Sequence, residues 1–193
     1  MNTEQTETLA YVVGVALGDG NLSNPNGRAT RLRVTCDAKY PRIIQDISAA
    51  LRVLFPENKV SLIPKGTGAF DISVYSNRLD KFIPWQTGEG SKAKQQARVP
   101  EWIRNDAHYS RACLRGLIQT DGCLYTDRGY PMVNFVNITY PLAKDTYDML
   151  VTLGYRPNFI RFPLNNGRSK YTVRIARKAE ATRLIEDLSL YKE

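Results

Sequence analysis

Two aspartates close two copies of one phrase. Val12-Val13-Gly14-Val15-Ala16-Leu17-Gly18-Asp19-Gly20 returns as Leu114-Arg115-Gly116-Leu117-Ile118-Gln119-Thr120-Asp121-Gly122, with a constant offset of 102 (116 − 14, 121 − 19, 122 − 20). An Asp-Gly pair is a common turn signal, and one copy alone reads equally well as a turn residue after a helix. Two copies, each with a glycine five residues before its aspartate, point to two similar units that deliver one carboxylate each to a shared site. A helix C-terminus disfavours negative charge. Neighbouring carboxylates disfavour each other's ionisation unless a cation lies between them. A divalent metal resolves both problems.

The elements that must position this pair are legible in outline. Each apolar run reads as a helix ending in a glycine C-cap with positive φ, at Gly20 and Gly122. Gly14 and Gly18 share a face, as do Gly116 and Thr120, so the two helices are expected to pack with their backbones unusually close. After the first phrase, Asn21 to Arg28 reads as a strand entering a long turn, and Arg31 to Thr35 alternates. A helix with Ile44, Ile47, Leu51 and Leu54 follows. Val60–Ile63 and Phe70–Tyr75 then flank a turn at Lys65-Gly66-Thr67-Gly68, and a short helix with Leu79, Phe82 and Ile83 closes the unit at Pro84. The second half repeats the order. Leu124–Asp127 and Met132–Thr139 pair, a helix runs to Gly154, Asn158–Leu164 and Tyr171–Ala176 flank Asn165-Asn166-Gly167-Arg168, and Leu184, Ile185 and Leu188 mark a closing helix. The expected units are residues 1–87 and 109–193, joined by a polar, basic connector at 88–108.

The two phrases resemble the LAGLIDADG motif of homing endonucleases, in the single-chain form that carries both copies. The stretch from Lys92 to Ile103 also looks like the connector of that family, and the resemblance extends over nearly the whole chain. It implies an α+β fold of two pseudo-symmetric αββαββα halves, with the motif helices at the interface and two antiparallel sheets forming a saddle for DNA. It also implies Mg²⁺-dependent hydrolysis of both strands of a long double-stranded DNA site by a monomer. Asp19 and Asp121 would bind the metal with backbone carbonyls at Gly18 and Thr120, and Lys94 would stand near the scissile phosphate. The strand-end positions that often carry a polar active-site residue in this family fall here on Cys36 and Ile138. Isoleucine can neither donate nor accept a hydrogen bond. The given sequence stops soon after the last helix, at Glu193, so the second half offers no counterpart to the Lys94 connector. The two strand-cleavage sites are expected to be chemically unequal.

A two-stranded ribbon fits the major groove, where side chains on one face can read base edges. The candidate readers are Arg28, Arg31, Arg33, Asp71, Ser73 and Tyr75 in the first half. In the second they are Tyr125, Arg128, Asn137, Arg161, Asn165, Arg168, Lys170 and Arg174. Each alone is an ordinary member of a solvated sheet face; together they form two matching sets.

Composition agrees. Lysine and arginine number 27 against 19 aspartates and glutamates, a net charge of +8 that favours a polyanionic partner. No apolar run approaches a membrane span. Met1 to Thr8 lacks the basic and apolar blocks of a signal or transit peptide, so an intracellular location, cytoplasmic or in an organellar matrix, is expected. Cys36, Cys113 and Cys123 are odd in number and read as reduced thiols. His108 is the sole histidine, which excludes histidine-metal nucleases and Ser/His or Cys/His triads of the ordinary form. Two alternatives on the same scaffold remain open: a DNA-binding regulator that does not cut, and a maturase acting on intron RNA.

Overall fold

The computed structural model describes residues 3–191 except Asn26, Thr67 and Asn166. The expected turn positions at those three residues, and the readings placed on Met1 and Glu193, lie outside the described residues. The first unit runs α1 (Thr3–Asp19), β1 (Gly20–Ser23), β2 (Arg31–Asp37), α2 (Pro41–Leu54), β3 (Ser61–Lys65) and β4 (Ala69–Tyr75). It closes with a single 3-10 turn at Leu79–Lys81 where a short helix was expected. A short helix, α3 (Glu101–Arg104), precedes the second unit. That unit comprises α4 (Ala107–Asp121), β5 (Gly122–Asp127), β6 (Tyr130–Asn137), α5 (Tyr140–Thr152), β7 (Asn158–Pro163), β8 (Ser169–Ile175) and α6 (Lys178–Asp187).

The sheets share one topology. Both are four-stranded and antiparallel, in the orders β1-β2-β4-β3 and β5-β6-β8-β7. Leu32, Val34, Ile72 and Val74 point inward from the first sheet, and Val133, Phe135, Val173 and Ile175 from the second. They meet the apolar faces of α1, α2, α4 and α5 in one continuous core.

The motif helices pack backbone to backbone. A Cβ added at Gly14 would lie 2.1 Å from the Cys113 carbonyl oxygen, and one at Gly116 would lie 2.4 Å from the Tyr11 carbonyl oxygen. A Cβ at Gly18 would fall 2.0 Å from Thr120 Oγ1. No side chain larger than hydrogen fits at the two backbone contacts.

Gly20 and Gly122 correct the sequence expectation. Neither adopts positive φ, and Gly122 is extended at φ −87° and ψ 168°. Their glycines answer a close approach instead: a Cβ would lie 2.5 Å from the Ala16 carbonyl oxygen at Gly20 and 2.4 Å from the Ile118 carbonyl oxygen at Gly122. The chain passes straight from the helix into the first strand, folding tightly over the last helical turn. The aspartate therefore sits at the junction of helix and sheet.

The connector packs into the body of the molecule. Trp85, Ala97, Val99 and Ile103 are buried, and Asp145 of α5 is 1% exposed beneath them. Asp145 accepts from Arg98 Nε (3.1 Å), Arg98 Nη2 (2.6 Å) and the Val99 amide (3.0 Å). This tether holds the connector against the second unit. His108 is exposed in the first turn of α4, where the cap is the Asp106 carboxylate, which accepts from the amides of His108 (2.8 Å) and Tyr109 (3.0 Å).

Candidate functional site

Asp19 and Asp121 occupy the last positions of α1 and α4, and the helix contact carries through to this end. The Cβ position of Gly18 lies 3.5 Å from the Asp121 amide nitrogen. Thr120 turns its hydroxyl back into its own helix, bonding to the Gly116 (2.8 Å) and Leu117 (3.2 Å) carbonyls, and there it fills the space that a Gly18 side chain would need. Behind the aspartates, buried Tyr11 donates to Gln119 Oε1 at 2.8 Å and ties the two helices together with a polar bond.

The cation at this end is Lys92. Its ammonium donates to the carbonyls of Ala16 (3.2 Å), Leu17 (2.8 Å) and Gly18, capping the negative end of the α1 dipole. Burial pushes its pKa down, while Asp121 and Asp19 pull it back up, so both aspartates face the same ammonium. The indole of Trp85 lies 5.4 Å away. Lys94, the residue expected from sequence, is exposed and lies along Gly90. It lines a separate groove of about 460 Å³ with Arg161, Arg168 and Tyr171. Both lysines belong to one polar run, and the spacing alone does not say which of them turns toward the aspartates.

The register assigns the strand-end partners. Gly20 pairs with Val34, whereas Gly122 pairs with Phe135, because the second hairpin is one residue shorter. Cys36 pairs with Phe70 and Asn137 with Tyr171, so the counterpart of Cys36 is Asn137, and the expectation of Ile138 is corrected. Ile138 lies beyond β6 and is 47% exposed. Asn137 Nδ2 donates to Asp121 Oδ2 at 2.8 Å, and its oxygen accepts from the Thr139 amide at 2.8 Å, which fixes the direction of the amide. Across the repeat, burial pushes the Cys36 thiol up to about 12, with Asp19 and Asp71 adding to the shift. It is a neutral thiol at physiological pH.

The candidate readers divide by strand parity. Arg31, Arg33, Asp71, Ser73 and Tyr75 share the face turned away from the helices, since Arg31 pairs with Tyr75, Arg33 with Ser73 and Thr35 with Asp71. Ser73 is 6% exposed, so it lies under its neighbours instead of presenting its hydroxyl. Tyr125, Lys170 and Arg174 lie on the corresponding face of the second sheet, with Asn134 bonded to Tyr125 Oη at 3.2 Å. Arg28, Arg128, Asn165 and Arg168 stand exposed in the hairpin turns. Asn137 and Arg161 have the opposite parity, because both pair with Tyr171 on the helix side. Their alternation was legible from sequence, but the pairing register that sets which face each takes was not.

The donor set is hard and small. Among the described residues no cluster of three or more His, Cys, Asp or Glu side chains stands ready to enclose a metal. Two carboxylates and helix-end carbonyls are oxygen donors of the kind that suit a hard divalent cation.

Two repeated units, joined through glycine-faced helices that each end in an aspartate, define a single-chain, two-motif protein of the LAGLIDADG fold. Residues 108–189 match the family model described as a LAGLIDADG-like domain. Mesophilic variants of the homing endonuclease I-DmoI superpose with a TM-score of 0.68 at 19% identity, over 97% of this chain and 98% of that one. I-DmoI in complex with DNA and Ca gives 0.68 at 19% identity, over 95% and 90%. Full-length DUF199/WhiA from Thermatoga maritima gives 0.66 at 12% identity, over 100% of this chain and 58% of that one. No curated protein sequence matches the chain. Among the described residues no helix is long and apolar enough to cross a membrane.

Proposed function

We propose that this protein is a site-specific endonuclease that hydrolyses double-stranded DNA with Mg²⁺, acting as a monomer. The observation that carries the reading is the convergence of Asp19, Asp121 and the Lys92 ammonium where the two motif helices end. Asp19 and Asp121, with the carbonyls at Gly18 and Thr120, are the residues that would hold the metal. When bound, Mg²⁺ supplies Lewis-acid stabilisation of phosphoryl charge and a more acidic water. Lys92 places a positive charge beside both carboxylates, where it offsets the negative charge that builds on a phosphate under attack. Asn137 holds Asp121 in one orientation, and the Asp145 tether holds the connector that carries Lys92. Arg31, Arg33, Tyr125, Lys170 and Arg174 offer two faces to a duplex, with the turn residues Arg28, Arg128, Asn165 and Arg168 and the groove residues Lys94 and Arg161 as phosphate contacts.

One observation favours a second reading, a DNA-binding protein that does not cut. The Lys92 ammonium already takes the Gly18 carbonyl, so a built-in cation serves the helix end without a metal. Selection of cleaved duplexes from a randomised library in Mg²⁺ separates the two readings. The endonuclease reading predicts one long motif among the cut products, lost in Asp19→Asn and Asp121→Asn. Enrichment by binding with no cutting, unchanged in those variants, overturns it. Competition by structured RNA at matched salt, stronger than by duplex, would turn the reading toward an RNA-processing role.

A further inference from the structure

The same row of the two sheets carries different chemistry. In the first sheet the row is Thr35, Asp71 and Ile63. Asp71 accepts from Thr35 Oγ1 at 2.6 Å and stands 3.8 Å from Arg33 and 3.7 Å from Lys65, so Thr35 and Asp71 are tied into a charged, hydrogen-bonding network, while Ile63 at the sheet edge is 55% exposed like its counterpart Ile160. The equivalent row of the second sheet is Val136, Thr172 and Ile160. Val136 is 36% exposed and Ile160 37%, and the next outward residue on the same edge, Phe162, is 45% exposed. Lys170 lies over the Phe162 ring at 5.5 Å, and Arg174 flanks the row on the other side.

An exposed row of β-branched and aromatic side chains is unfavourable in water and gains when an apolar surface covers it. The flanking cations restrict that surface to one belonging to a polyanion. Within the major groove the one apolar group on a base edge is the 5-methyl of thymine. We infer that the two halves read chemically different half-sites, and that the second sheet recognises thymine methyl groups through Val136, Ile160 and Phe162. This inference rests on the proposed binding of duplex DNA. It also separates DNA from RNA at this face, since uracil lacks the methyl.

The test uses the full chain and the duplex target recovered by selection. Thymidines are replaced by deoxyuridine in one half-site and then in the other, and equilibrium binding is measured at fixed salt. The inference predicts binding weakened about fourfold for each contacted methyl in one half-site only, from roughly 0.8 kcal/mol per buried CH₂. In the doubly substituted Val136→Ser, Ile160→Ser protein, both positions being exposed, the deoxyuridine penalty in that half-site should shrink to the share carried by Phe162, while the other half-site behaves as before. Tight, sequence-specific binding indifferent to deoxyuridine in both halves overturns the inference and leaves the nuclease reading intact. Sensitivity that the double variant does not move also overturns it. Absence of any specific duplex binding removes the nuclease reading itself.

Discussion

The corner built around Asp19 and the corner built around Asp121 occupy equivalent places in the repeat and are furnished differently. Asp121 is held by the Asn137 amide, a directional donor. Asp19 has in the equivalent place a buried neutral thiol, Cys36, whose protonated state Asp19 itself favours. Lys92 gives its hydrogen bonds to the carbonyls at the end of α1, carried there by the connector. The backbone contacts tell the opposite story: Gly14 against Cys113 and Gly116 against Tyr11 are the same contact seen from each side. Interhelical packing tolerates no side chain there, whereas the residue beside each carboxylate is free to differ. The halves therefore share a frame and differ in the groups set beside each carboxylate.

That comparison can be broken most severely at the frame. Gly116→Val places a branched side chain where even a Cβ lies 2.4 Å from the Tyr11 carbonyl oxygen and 2.7 Å from the Val15 amide. A loss of about 3 kcal/mol or more is expected, read as a fall in Tm. Asp145→Ala should cost about 1–3 kcal/mol by leaving the buried Val99 amide without its acceptor, with denaturant unfolding as the measurement. Lys92→Met should slow DNA cleavage about 10²-fold while duplex binding persists. Faster cleavage would mean instead that the lysine blocks a metal position. Asn137→Cys makes the second corner resemble the first, and single-turnover kinetics should show a loss of about tenfold, the lower end of what supporting partners of metal ligands contribute. Cys36→Asn makes the first corner resemble the second and should change the rate least, by a few-fold gain.

The sequence disclosed what repeats and concealed what does not. The 102-residue offset located both aspartates and the four small residues between the helices, because helical spacing carries through without interruption. Strand pairing follows a different offset, since 135 − 34 and 137 − 36 both equal 101. That single residue hid Asn137 behind Ile138 and turned Asn137 toward the helices, while Arg161 takes that face from its own pairing with Tyr171 in the other hairpin. Hairpin length sets register, and a loop of ordinary polar residues does not announce its length relative to its twin. Gly20 and Gly122 were legible as glycines at helix ends, but the reason, a chain folded over the last turn, depends on where the next strand must go. Lys92 and Lys94 are indistinguishable by type and neighbourhood; only the buried Trp85, Ala97 and Val99 around them settle which one turns inward.

Strand-resolved cleavage of the selected duplex tests the central claim most directly, with each strand labelled separately and Mg²⁺ as the metal. A shared centre at the meeting of the motif helices predicts that Asp19→Asn and Asp121→Asn each lose cutting of at least one strand by about two orders of magnitude or more, with duplex affinity retained. Cleavage of both strands undiminished in the doubly substituted protein would contradict it.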